Sequence, residues 1–195
     1  MLTTTLSFDN LHVNGDLFTN LFRTRKSSLL MENKWESPET EGMEYDQYDT
    51  PASRWIAVHE NGKVLAGVRL TPTTAECGVY SYMIRDAQRG LLDSLPRNLL
   101  DYEAPVASYI WEASRVFVSG DVSERRRARV QSSLIAEMTR SARTLGASQI
   151  IGLMPAQWAR WTEHLGLDVE VVGPEIDVDD ILTKAGVLKL ALSMH

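Results

Sequence analysis

Residues 109–118 read YIWEASRVFV, and their reading decides the architecture. Most positions are aromatic, β-branched or small, so 106–118 reads as one long strand, ended by Gly120 and Asp121. Directly behind it, 124–145 carries Val130, Leu134, Met138 and Leu145 on one helical stripe, with Gly146 at the C′ position. Upstream, 54–60 and 63–70 alternate as strands around Asn61-Gly62, a pair whose tolerance of positive φ suits a type I′ hairpin turn. A third strand is expected at 79–84, then helix and loop over 85–100, broken at Pro96. Downstream the pattern gives a short buried strand at 148–154, a helix at 156–165 closed by Gly166, and strands at 169–172 and 187–192. The N-terminal part holds a helix within 11–30, with Leu17, Phe18, Leu21 and Phe22 on one face and Asn14 or Asp16 as its cap. Between helix and hairpin, 31–51 is polar and acidic with no sustained period. A connection that long is a candidate substrate-covering segment. Strands interleaved with helices predict an α/β fold, a single-domain α/β/α sandwich around a mixed, mostly antiparallel sheet spanning 1–195.

Composition narrows the function. Hydrophobic residues make up 44% of the 195 and charged ones 24%, an ordinary globular balance. Lys and Arg total 20 against 26 Asp and Glu, a net charge of −6, which argues against a general nucleic-acid binder. No apolar run approaches the length needed to span a bilayer, so no membrane partner is expected. The single cysteine, Cys77, excludes an intrachain disulfide framework, and with no leader-like start the expected location is cytoplasmic. His12, His59, His164 and His195 are scattered, and no His or Cys cluster suggests a metal.

Six charges interrupt segments that look buried or sit in the candidate covering loop: Arg25, Asp46, Asp49, Arg69, Glu112 and Arg115. A buried charge costs several kcal/mol unless paired, so these are expected to find partners among themselves. Three anions and three cations form either a structural ion-pair network or a site for a zwitterionic ligand, carboxylates meeting its cation and arginines its carboxylate. Glu112 and Arg115 are three apart and face opposite sides of a regular strand. A β-bulge between them is therefore expected.

In chain order, Arg25, Trp35, the E-x-D-x-x-D loop carrying Asp46 and Asp49, the G-x-R-L-x-P-T run at 67–73 and the Trp111-Glu112-Ala113-Ser114-Arg115 strand resemble the N-acyl-homoserine lactone synthases, the LuxI-type autoinducer synthases. No single motif is specific; their joint spacing is. The resemblance implies a fold like that of the GCN5-related acetyltransferases. It also implies S-adenosylmethionine as co-substrate, with no further cofactor, and an acyl donor carried on acyl carrier protein or coenzyme A. The reaction implied is amide formation followed by lactone closure, releasing 5′-methylthioadenosine and yielding a quorum-sensing signal. Leu29 stands where the family commonly has an aromatic residue lining the methionine-side pocket. That difference leaves open an alternative, an N-acyltransferase of the same fold acting on another amine.

The chemistry assigns roles to these positions. A protonated amine cannot attack a thioester, and Glu112 is the candidate base, the alternative being a plain salt bridge to Arg115. Asp46 and Asp49 would hold the amine and the loop, while Arg25 and Arg69 hold carboxylate or lock the aspartates; Glu112, Arg115 and Asp49 make up the candidate catalytic group. Ser114, Phe117 and Val118 border the substrate, and a backbone N–H near Phe117 or Val118 would serve the oxyanion. Trp35 is either a core anchor or a wall against adenine and sulfonium. Met154, Trp158 and Trp161 either belong to the core or line an acyl tunnel. Arg125, Arg126, Arg127 and Arg129 at the helix start are either a solvated face or a docking patch for an acidic carrier protein.

Overall fold

The structure, a computed structural model, describes residues 1–32, 39–156, 162, 166–178 and 180–190; of 29–32 it describes the backbone alone. Two compact units emerge, Met1–Leu70 with Arg115–Ser141, and Thr71–Ser114 with Ala142–His195. Among the described residues no helix is long and apolar enough to cross a membrane.

The first unit begins with β1 (Leu2–Leu6), a 3-10 turn at Phe8–Asn10 and the long helix α1 (Leu11–Glu32). Asn10 closes the turn, its side-chain oxygen accepting the Ser7 N–H at 2.9 Å. Asn14, expected as the helix cap, instead marks a kink (φ −124°, ψ 20°) and donates its amide to the Asn10 carbonyl at 3.1 Å. Helix formation starts earlier because the Ser7–Asn10 turn already orders the chain entering it. Next come β2 (Glu39–Thr40) and β3 (Met43–Glu44), a small hairpin inside the stretch read as featureless. Glu41 and Gly42 take φ of +51° and +78° at its tip, a turn too short for any period to reveal. The hairpin of β4 (Arg54–Glu60) and β5 (Lys63–Pro72) is as expected, with Asn61 and Gly62 at φ +49° and +79°. Strand order here is β1-β4-β5-β6, where β6 is Ile110–Val118. Buried Leu17, Leu21, Phe22, Trp55, Ala57, Val64 and Phe117 form the core, with Phe18 and Phe8 set against Trp55 at ring distances of 5.1 and 5.8 Å. The following helix, α3, spans Glu124–Thr144 and buries Val130, Leu134 and Met138 as predicted, with Gly146 at φ +85° beyond it. Thr3 and Thr5 of β1 bond to the buried Glu137 on that helix.

In the second unit, β6 runs parallel to β7 (Gln149–Pro155) from Ile110↔Gln149 to Ala113↔Gly152. Antiparallel to β7 lies β10 (Ile181–Lys189), which also pairs with β8 (Val169–Val171) and β9 (Ile176–Val178). The pairings mapped in both units are antiparallel except β6–β7, which gives the mixed, mostly antiparallel character expected. Two of the expectations change as follows. The strand at 79–84 is replaced by a single Cys77↔Tyr80 bridge and a short helix, α2 (Met83–Gln88). The last strand begins at Ile181 rather than 187, and β9 precedes it across a turn where Asp180 has φ +66° and donates its N–H to the Asp177 carboxylate at 2.9 Å. Acidic residues dominate that turn and hide two strands whose pairing is set by β10. The expected helix at 156–165 falls almost wholly outside the described residues.

Candidate functional site

α1 delivers a cation to the interior. Its buried positions Leu17, Leu21, Arg25 and Ser28 step by four, four and three, so one stripe begins apolar and ends in a guanidinium only 1% exposed. Gly67 on β5 assists, because a Cβ there would come within 2.7 Å of both Leu21 and the Phe117 ring. Only glycine lets helix and strand approach this closely.

Arg25 reaches two carboxylates. Its Nε donates to Glu44, its Nη2 to the Glu44 carbonyl at 2.6 Å, and its two terminal nitrogens grip Asp49 at 3.0 and 2.6 Å. Arg69 of β5 donates to Asp46 at 2.5 Å and to Asp49 at 3.0 Å. Arg115 of β6 donates to Asp46 at 2.9 Å and lies 3.4 Å from Glu44. The Trp55 indole N–H adds a bond to Asp49 at 2.9 Å. Within the loop, the Asp46 N–H donates to Asp49 and the Tyr48 N–H to Asp46, so the two aspartates also shape the backbone that carries them. Burial alone would raise the Asp49 pKa, but Arg69 and Arg25 outweigh it and hold the carboxyl well below the usual range. Asp46 moves the same way: burial and Asp49 push it up, Arg69 and Arg115 pull it down further.

Five of the six predicted charges therefore meet in the first unit: Arg25, Asp46, Asp49, Arg69 and Arg115. The third acid beside them is Glu44, buried at 3% exposure, which the sequence reading passed over. Its place two residues before Asp46, in the same E-x-D-x-x-D pattern, was the available signal. Arg115 itself sits in the left-handed region (φ +53°), so the pleat of β6 breaks at the residue that joins the cluster.

Glu112 belongs to the second unit and is fully buried. Its carboxylate accepts the N–H groups of Met83 at 3.1 Å and Ile84 at 2.8 Å, the first two residues of α2. Tyr82, the N-cap, makes no side-chain cap bond, so a carboxylate from β6 does the capping from a distance in sequence. Ser114 beside it is buried as well.

Other expected positions lie as follows. The Phe117 ring is part of the first unit's core, which accounts for its side chain without a ligand, and Val118 is half-buried. Met154 is half-buried on β7, and a Cβ at Gly186 would meet its methyl at 2.5 Å. At the start of α3, Arg125, Arg126 and Arg129 are exposed and Arg127 half-buried. Arg126 pairs with Glu60 at 2.7 Å on the wall of a 330 Å³ cleft whose Lys63 pairs with Asp121 at 2.8 Å. Arg127 lies 3.6 Å from Glu124. The cleft's charges thus compensate one another. Trp35, Trp158 and Trp161 lie outside the described residues, as does the side chain of Leu29.

Comparison with known proteins adds an independent line. The profile of the autoinducer synthase family matches residues 9–190. The isovaleryl-homoserine lactone synthase of Bradyrhizobium diazoefficiens is 26% identical over 189 residues, covering 95% of this chain and 78% of that one. A CoA-dependent acyl-homoserine lactone synthase, BjaI, solved with SAM and isopentyl-CoA, is similar in fold: TM-score 0.76 and 24% identity over 98% of this chain and 84% of that one. An acyl-CoA N-acyltransferase from Pseudomonas aeruginosa shares the fold more loosely, with TM-score 0.55 and 14% identity over 95% of this chain and 97% of that one.

Proposed function

The chain belongs to the autoinducer synthase family, and on that premise we propose that it is a cytoplasmic acyl-homoserine lactone synthase whose buried charge cluster holds the amino-acid end of S-adenosylmethionine. The observation that carries this reading is the cluster itself: Arg25, Arg69 and Arg115 against Glu44, Asp46 and Asp49. Its charges cancel, and the ammonium and carboxylate of the co-substrate are the same pair of charges, so ligand groups can exchange with protein groups without a net charge entering the interior. In the first step the amine, deprotonated by Glu112, attacks the thioester carbonyl. The C–S bond breaks and the carrier leaves as a thiol. In the second step the carboxylate oxygen attacks the carbon γ to it. The C–S⁺ bond breaks, closing the lactone and releasing 5′-methylthioadenosine. The sulfonium is already a good leaving group, so this step asks for orientation, which a rigid set of paired side chains supplies. S-adenosylmethionine is consumed as co-substrate, and neither step calls for a metal or redox group. The donor is an acyl thioester of acyl carrier protein or coenzyme A.

The test is incubation with S-adenosylmethionine and a panel of both thioester classes, with products followed by mass spectrometry. Equimolar thiol, methylthioadenosine and acyl-homoserine lactone are expected. Amide formation without methylthioadenosine would replace this reading by acyl transfer to another amine, and no thiol release with any donor would end it.

A further inference from the structure

We propose that Asp86 is a positioning residue for Glu112, acting through the N-terminus of α2. The proposal rests on the reading of Glu112 as base. Asp86 is fully buried inside α2, where its carboxylate does not face water. Its carboxylate instead takes the Ser81 N–H at 2.8 Å, the Ser81 hydroxyl at 3.1 Å and Arg89 at 3.0 Å. Ser81 immediately precedes the N-cap Tyr82, so Asp86 fixes the direction in which the chain enters the helix. The next two N–H groups, of Met83 and Ile84, are those that Glu112 accepts. Two further anchors hold the same short helix in place. The Tyr82 hydroxyl donates to the Pro105 carbonyl at 2.6 Å, and Gln88 both donates to the Tyr102 carbonyl and accepts the Ala104 N–H at 2.8 Å each. A six-residue helix is marginal by itself, so this much side-chain bonding on one turn and a half of backbone is a device for precision. What it makes precise is a pair of amide donors, and their only described acceptor from another element is the Glu112 carboxylate.

The mechanism of action is orientation. With the Ser81 anchor in place, both amides point at Glu112 and stabilise its charged form. When the anchor loosens, the amides drift, the carboxylate gains rotational freedom, and protonation of Glu112 becomes easier. Glu112, Arg85, Tyr102 and Asp86 act on Tyr82, Arg89 bonds to Asp86, and the Arg97 guanidinium lies against Gly90 just beyond α2. Burial first, and the charge of Glu112 second, push the Tyr82 phenol far above its ordinary range, so it stays protonated throughout an assay.

The experiment compares wild type, Asp86→Asn, Ser81→Ala and Glu112→Gln in kcat, KM and the pH profile of kcat, using S-adenosylmethionine with an active thioester, alongside thermal unfolding. Asp86→Asn is expected to lower kcat about 10- to 100-fold with KM for S-adenosylmethionine changed less than about threefold. It should also move the acid limb of the profile to higher pH by about half a unit. Ser81→Ala deletes one hydroxyl bond to the same carboxylate at little risk to folding, and shifts the limb in the same direction by a few tenths of a unit. A lower melting temperature with the limb unmoved in both variants makes Asp86 merely structural and overturns the proposal. If Asp86→Asn does not fold, Ser81→Ala decides alone. Full activity in Glu112→Gln sinks the base assignment itself, whereas an inactive Glu112→Gln with unmoved limbs sinks only this inference.

Discussion

Asp49 and Glu112 are both hidden from water, yet they are held by different means. Around Asp49 the donors are mostly full cations: Arg25 through two nitrogens and Arg69 through one, with the Trp55 indole beside them. Glu112 takes two backbone amides at the start of α2. A guanidinium discourages protonation far more strongly than an amide dipole does, although both fix orientation. The first arrangement is a frame that keeps its charges over a wide pH range. The second fixes the direction of a carboxylate through hydrogen bonds from backbone amides.

The deepest break in this contrast comes from Arg69→Met. It leaves Asp46 and Asp49 buried with one cation fewer, and is expected to cost about 3–5 kcal/mol of stability, read from the urea midpoint at constant slope. A loss below about 1 kcal/mol would make the frame no stiffer than an ordinary hydrogen bond. Glu112→Gln should separate stability from activity: one amide donor loses its acceptor, for about 1–2 kcal/mol, while turnover falls by about 10²–10⁴. Equal and large losses in both would make Glu112 a structural cap. Acid titration sharpens the comparison further. Asp46 and Asp49 have folded-state pKa values below the unfolded 3.8, so their contribution is complete at neutral pH and disappears only as pH falls below that value. His59, lowered first by burial and then by the N-terminal charge, also loses its contribution on acidification, but starting from 6.5. Two steps in the urea midpoint are expected, the upper one abolished by His59→Gln. A flat profile below pH 4 would contradict the frame. The smallest effect belongs to the exposed Arg125 and Arg129. Changing both to Glu should raise KM for a carrier-protein donor a few-fold at low salt, an effect that fades in salt, and leave stability unchanged. No change at any salt would remove them from docking.

Much of this arrangement was legible in the chain because its signals are local. Asn61-Gly62 specifies its own turn, and the stripe of α3 specifies its own buried face. The charges at Arg25, Asp46, Asp49, Arg69 and Arg115 stood out because each interrupts a segment that otherwise buries or shapes itself. What escaped was set by partners remote in sequence. α2 replaces an expected strand because its first amides are capped by Glu112, 28 and 29 residues away. Glu44 looked like one more acid in an acidic loop until Arg25, 19 residues upstream, closed on it. β9 and the start of β10 pass through Asp177 and Asp180, whose composition speaks for a loop while their pairing makes a hairpin.

The loop bearing Glu44, Asp46 and Asp49 draws its three cations from α1, β5 and β6, across separations of 19 to 69 residues. Three acids crowded into six positions repel one another until those elements have docked, so the loop cannot reach its final shape early in folding. During refolding, ligand-binding competence should therefore emerge last, after the sheet has formed. A chain with one strand out of register could not close the ion pairs at all, which makes the charge cluster a gauge of whether the protein has been assembled correctly.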